Sequence, residues 1–376
     1  MHYPNLIVTF LFGLLLVGCA SPSPAATVLP DNTPVPTASP TPASATPTAV
    51  QTKTATPEPS PTPQPTQTLV FDFSHYDIDP ELEQIAHDFP IVASSTSASD
   101  LWVRVICRVF NVYCPRQEIE IWPEWSDKNH DELTRFIVDH AQTQGTHEAY
   151  IALINGDADI ILVARAPSQD ELNDAQAKNV DFDVKPVALD AFVFIVNSQN
   201  TVDNLSLEQL RQIYSGQITN WKQVGGKDQE IHAYQREENS GSQELMNTLV
   251  ISATSMIDAP EMIAWTMAGP FNAIGAPPYL ESPEGKGDAA GIGYSVYYYA
   301  KYMVTNDDVE FIGVNGVEPT SRTIRNRTYP LTTEVYAVVR KGLPREDTAI
   351  QLRDWLLSSA GKLTIEYSGY VATDWD

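Results

Sequence analysis

Tyr234-Gln235-Arg236-Glu237-Glu238-Asn239-Ser240-Gly241-Ser242-Gln243-Glu244-Leu245 is the stretch on which the fold turns. Ahead of it, residues 230–234 read as a short strand. Behind it, Leu245, Met246, Leu249 and Val250 recur at helical spacing. Ser240-Gly241-Ser242 therefore occupies a strand-to-helix turn, where the first backbone N–H groups of the helix lack internal partners. Those donors, the positive end of the helix dipole and two hydroxyls form a cradle for an anion. Gly241 admits close backbone approach, and Arg236 adds a planar fork of donors with a neutralising charge. The competing reading is a serine N-cap beside a surface arginine.

Two further turns repeat the pattern. Phe89-Pro90-Ile91-Val92-Ala93 reads as a strand and Ser94-Ser95-Thr96-Ser97 as the turn after it. A helix follows, striped by Leu101, Trp102, Val105, Ile106, Val109 and Phe110. Ser95 and Thr96 are candidate ligands, although a capping box around Ser97 and Asp100 explains the same residues. A helix is predicted over 131–142, and another over 148–155, opened by Gly145-Thr146. Thr146 is either an ordinary cap or a hydroxyl aimed at a cleft. The apolar run 159–164 has the character of a strand buried in a parallel sheet. It ends in Arg165-Ala166-Pro167, ahead of a capping box formed by Ser168 and Glu171. Arg165 thus stands at a strand C-terminus, where open α/β sheets bind ligands. An ion pair with a neighbouring carboxylate is the other reading of it.

These segments together resemble the phosphate-binding proteins that serve ABC importers. Arg236-x-x-x-Ser240-Gly241-Ser242 matches that family's anion-contact segment. Residues 205–221, Gly291-Ile292-Gly293-Tyr294-Ser295 and Tyr329-Pro330-Leu331-Thr332 match further landmarks in order, over roughly residues 88–376. The resemblance implies an α/β fold of the two-lobed periplasmic-binding-protein type II (Venus flytrap) kind, each lobe a mostly parallel sheet flanked by helices. Lobe one would span 69–190 and be completed by 330–376; lobe two would span 191–329. Ser95, Thr96, Thr146 and Arg165 would face Arg236, Ser240, Gly241 and Ser242 across the cleft. The implied function is capture of phosphate and its delivery to a membrane ABC permease by a monomer. Another oxyanion, or a receptor module signalling anion availability, is the alternative. In better-known members the position of Arg165 carries an Asp that accepts the proton of hydrogen phosphate, and the Ala93-Ser94 pair replaces the usual Asp-Gly.

The rest of the chain sets the compartment. Residues 5–18 are almost wholly apolar and lead into Leu16-Val17-Gly18-Cys19, which resembles a bacterial lipobox. Residues 1–19 are thus expected to be a signal peptide, with lipid on Cys19 anchoring the protein to the outer face of the cell membrane. Residues 20–68 are rich in Pro, Thr, Ser and Ala and read as a disordered tether reaching roughly 150 Å. Cys107 and Cys114 then remain as an even pair. A disulfide between them requires the helix to break, which Asn111 and Pro115 favour; two reduced thiols are the alternative. A formal charge of −25 repels nucleic acid and gives no long-range steering of anions, so attraction must be local. No Gly-x-Ser-x-Gly elbow, phosphate-loop lysine motif or His-Glu-x-x-His occurs, and Asp157-Ala158-Asp159 reads as a solvated turn. Neither catalysis, a metal nor a cofactor is expected.

Overall fold

The computed structural model describes residues 71–112, 128–252, 254–275, 287–304 and 306–373. The expected signal peptide, Cys19, the tether and Cys114 lie outside these residues. Among the described residues the chain first builds α1 (Glu83–His87), β1 (Val92–Ser95), α2 (Ser99–Val109) and α3 (Lys128–His140). β2 (Ala141–Gln144), α4 (Thr146–Asn155), β3 (Ile160–Val163) and α5 (Gln169–Ala177) follow. β1 lies between β2 and β3, parallel to both. Alternate residues of β3 enter different cores: Ile160 and Leu162 join one packed against α2, Ile161 and Val163 another against α4. Burial on both faces is why this strand is continuously apolar.

β4 (Phe182–Asn197) leaves this sheet and enters a second one. The second lobe contains β5 (Asn204–Leu205), α6 (Leu207–Tyr214), β6 (His232–Ala233), β7 (Gln235–Arg236), α7 (Gly241–Met246), β8 (Ile263–Ala264) and α8 (Gly269–Ile274). It continues with β9 (Gly291–Val296), β10 (Val309–Val314) and α9 (Ser321–Arg325). The chain then returns through β11 (Thr332–Arg340), α10 (Thr348–Leu356), α11 (Ser359–Ser368) and β12 (Val371–Ala372). The first half of β4 pairs with β11 and β12; its second half pairs with β9 and β10. β6 runs parallel to β9, and β5 parallel to β10. The α/β architecture expected from the sequence, two sheets flanked by helices, is the one observed.

Several local expectations shift, each for a physical reason. Pro90 has no N–H to give a ladder, and the Ile91 N–H is taken by Asp159 Oδ2 at 3.0 Å, so β1 starts at Val92 and runs through Ser94 and Ser95. No capping box forms at Ser97: α2 has no side-chain cap. Asp100 instead pairs with Arg104 at 3.2 Å and accepts the Tyr298 hydroxyl at 2.6 Å. The helix predicted over 131–142 ends at His140 because Ala141–Gln144 pairs with β1. β4 runs through Pro186, and the proline fits the ladder where the register with β11 slips beside Tyr336. As expected, α2 stops short of Asn111, which adopts a left-handed φ of 51°. Cys107 is buried and disulfide-bonded.

β4 changes sheets at Asp190-Ala191. Asp190 is fully buried; its Oδ1 accepts the N–H groups of Ala191 (2.8 Å) and Tyr298 (3.0 Å). Its Oδ2 and the facing Thr333 hydroxyl have no hydrogen-bond partner among the described residues. Burial raises the carboxyl pKa from 3.8 to about 7, the backbone hydrogen bonds opposing the shift. The folded state therefore holds this proton more tightly than the unfolded chain does. Stability from this group is complete below about pH 4 and is lost as pH rises through 7. Three pKa units correspond to at most about 4 kcal/mol. Urea unfolding should accordingly find Asp190→Asn gaining on the parent between pH 4.5 and 8, by up to that amount. A pH-independent difference would contradict the assignment.

Candidate anion-binding site

β1, β2 and β3 of lobe one and β7, β8 and β9 of lobe two end at a common cavity of about 440 Å3. β1 delivers Ser95, Thr96 and Ser97. β2 delivers Gly145 and Thr146, and β7 delivers Arg236 followed by Ser240, Gly241 and Ser242. Gly145 is the N-cap of α4 and makes no side-chain cap, so Thr146 is not the cap; its buried hydroxyl faces the cavity. Ser240 caps α7, accepting the Gln243 N–H at 3.1 Å, which leaves its own hydroxyl proton free to be donated. Thr96 donates to the Gln144 carbonyl at 3.3 Å, and the Ser95 and Ser97 hydroxyls lie 3.4 Å apart.

The lobes meet at Gly241. A Cβ built on this residue would fall on Thr146 Oγ1, so only glycine allows the helix start of lobe two to lie against that of lobe one. Steric room is the reason for glycine here.

Arg236 supplies the charge. Its backbone N–H is held by Tyr294 Oη at 2.9 Å and by Gln243 Oε1 at 3.2 Å, and Tyr294 also donates to Gln243. Its Nε donates to the Ala264 carbonyl at 2.8 Å and Nη1 to Met267 Sδ at 3.4 Å. The side chain is buried, and no described carboxylate lies within ion-pair distance of it. Burial lowers its pKa, only partly opposed by the charge of Glu237. An arginine stays protonated under such a shift, so the cavity holds a desolvated cation.

Arg165 behaves differently, and the expectation that it shares the cleft with these residues is corrected. Both its terminal nitrogens bind Glu171, at 2.7 and 2.8 Å. Glu171 is fully buried and also accepts the Ser168 N–H at 2.7 Å, completing the predicted capping box. Burial opposes the charge on Arg165, but the hydrogen bonds and charge of Glu171 win and its pKa rises. Arg165 lines a separate hollow with Glu244, Arg327 and Glu334. The cavity thus brings together Ser95, Thr96, Thr146, Arg236, Ser240, Gly241 and Ser242, without Arg165. Asp159, read as a turn residue, is engaged structurally by Ile91 and by Arg340 at 3.1 Å.

Sequence reasoning missed Ser97, Glu148, Trp265, Met267 and Tyr299 as lining residues. Trp265 and Met267 stand on an irregular loop after the two-residue strand β8, which has no local pattern to announce it.

Residues 128–360 match the PBP superfamily domain. The chain belongs to this superfamily. It is 27% identical over 237 residues to the phosphate-binding protein PstS of Staphylococcus aureus strain bovine RF122, covering 61% of this chain and 67% of the relative. The PstS of strain USA300 is 28% identical over 240 residues, with the same coverage of each. Among solved structures, a protein from Clostridium perfringens with bound phosphate superposes with a TM-score of 0.54 at 19% identity, covering 76% of this chain and 99% of that one. An ABC-type phosphate transport receptor from Vibrio cholerae gives a TM-score of 0.51 at 24% identity, covering 75% and 99%. These two likenesses show the superfamily fold.

Removing Arg165 would leave the Glu171 carboxylate buried with a histidine and one backbone N–H. Losing one partner of a buried pair typically costs about 3–5 kcal/mol. Urea denaturation of Arg165→Met should show a loss of that order; a loss under about 1 kcal/mol would contradict a structural role for the pair.

Proposed function

We propose that this protein captures phosphate outside the cytoplasm in the cleft between its lobes and delivers it to an ABC import permease. The observation that carries the reading is Arg236: a buried guanidinium with no carboxylate partner among the described residues, in a cavity edged by hydroxyls from both lobes. Burying a cation with no ion-pair partner is costly, and a bound oxyanion offsets that cost. Hydroxyls and helix-start N–H groups add donors and no charge of their own. Such a site needs no reaction, and binding alone accounts for its composition. The similarity to PstS proteins supports phosphate as the ion.

Closure follows from where the donors sit. Ser95, Thr96 and Thr146 come from lobe one, and Arg236, Ser240 and Ser242 from lobe two. An anion gains both sets only when the lobes are together, and that difference in affinity drives the equilibrium toward the closed form. Lipid on Cys19, with residues 20–68 as a tether, would hold the closed monomer near the permease.

Calorimetric titration of the purified protein, stripped of anion, against phosphate, sulfate and arsenate tests this directly. Phosphate should bind, and Arg236→Ala should weaken it roughly 100-fold, as expected when a desolvated charge pair loses one member. Gly241→Ala should weaken it about tenfold or more, because its methyl group meets Thr146 before the cleft closes. Sulfate binding as tight as phosphate would widen the ligand class to tetrahedral oxyanions in general. Failure of all three to bind would overturn the reading.

A further inference from the structure

The donor wall accounts for only part of the cavity. Its volume is about 440 Å3, whereas a bare tetrahedral oxyanion displaces about as much as two waters, on the order of 60 Å3. The surplus is not a gape between parted lobes, since Gly241 already abuts Thr146.

The remaining lining has a different chemistry. Trp265 is 73% exposed, more than any other large apolar side chain among the described residues, and it forms part of this wall. Glu148 and Glu237 line the same cavity. The Glu148 carboxylate folds back over Gly145, where a Cβ would strike it. Neither glutamate side chain has a hydrogen bond or a close ion pair among the described residues; Glu148 is exposed, and Glu237 is half-buried, with its charge acting on Arg236. The cavity therefore holds one cationic and two anionic side chains. A bare divalent anion would satisfy Arg236 and worsen the electrostatics of both glutamates. A ligand with a phosphate at one end and an ammonium at the other satisfies all three, and an indole face is the best of the aromatic surfaces for a cation.

We propose that the cavity takes a phosphomonoester bearing a cationic amine, an aminoalkyl phosphate. Its phosphate lies on Arg236 and the surrounding hydroxyls, and its ammonium lies against Trp265, Glu148 and Glu237. Inorganic phosphate fills the donor half alone. This inference rests on the reading of the donor wall as a phosphate site, and the test separates the two.

The full-length protein, stripped of anion, is titrated with inorganic phosphate, ethyl phosphate, O-phosphoethanolamine and phosphocholine. At least one amine-bearing ester should bind tenfold or more tightly than ethyl phosphate, which matches phosphoethanolamine in shape but has no charge at the far end. That ratio should fall roughly tenfold in Trp265→Ala, and should also fall in the double variant Glu148→Gln/Glu237→Gln. Equal binding of ethyl phosphate and both amine esters overturns the inference, as does a preference that survives all these substitutions. If inorganic phosphate alone binds, the proposal of an amine ligand fails and phosphate capture stands. If nothing binds, the phosphate reading beneath it fails as well.

Discussion

The molecule depends on one strand serving two sheets. β4 is sixteen residues long, and no residue in it interrupts the change of partners at Asp190-Ala191. Because the ladder is continuous, neither lobe can slide along the other; what remains is bending and twisting about the crossing. The return path lies beside it, with the Phe192 N–H bonded to the Leu331 carbonyl at 2.9 Å before β11 re-enters the first sheet. Two adjacent crossings define a hinge, and the residues lining the cavity lie at strand ends on either side of it. Asp190 occupies that crossing without a counter-charge among the described residues, which makes a buried carboxyl part of the hinge itself.

The two arginines show how environment divides one residue type between two roles. Each stands at or just past the end of a short strand, and each is almost fully buried. Arg165 has a carboxylate six residues later in the chain, on the first turn of α5, and the pair closes locally whether or not a ligand is near. Arg236 is held by a carbonyl and a sulfur, neutral acceptors that fix its direction without cancelling its charge. The opposite pKa directions of the two guanidiniums express that contrast. An arginine that is positioned but not neutralised is suited to a ligand; one that is neutralised is part of the scaffold.

What was legible in the sequence was local. Ser168 with Glu171 and Ser206 with Gln209 form the capping boxes their spacing announces, and Ser240-Gly241-Ser242 opens a helix as read. Gly216 ends α6 with a φ of 75°, as a glycine at that place should. What was illegible depended on partners remote in sequence. Ala141–Gln144 has no strand pattern of its own and is extended because β1 lies beside it. Ser94 and Ser95 read as turn residues, yet β2 pairs with both and β3 with Ser94. Arg165 was ambiguous because a strand end and a glutamate six residues on are compatible with either role. Burial decided between them. The Trp265 loop lies next to the site through the pairing of β7 with β8, two residues on each side, and through the bonds of Arg236 to Ala264 and Met267.

The acidity of the chain bears on how the cavity can work. At a formal −25 the molecule repels an approaching anion at long range, and in physiological salt that repulsion fades within about 8 Å of the surface. Capture must then rest on short-range donors whose strength comes from being desolvated and already in place. The contact of Gly241 with Thr146 contributes to this, because closing the helix starts together removes water from the donors. The same acidity continues into the cavity as Glu148 and Glu237, which line it together with the hydroxyls. A site built only to hold a small dianion gains nothing from two carboxylates without an ion-pair partner among the described residues. Their presence beside a solvent-facing indole is a constraint that any ligand of this cleft has to meet.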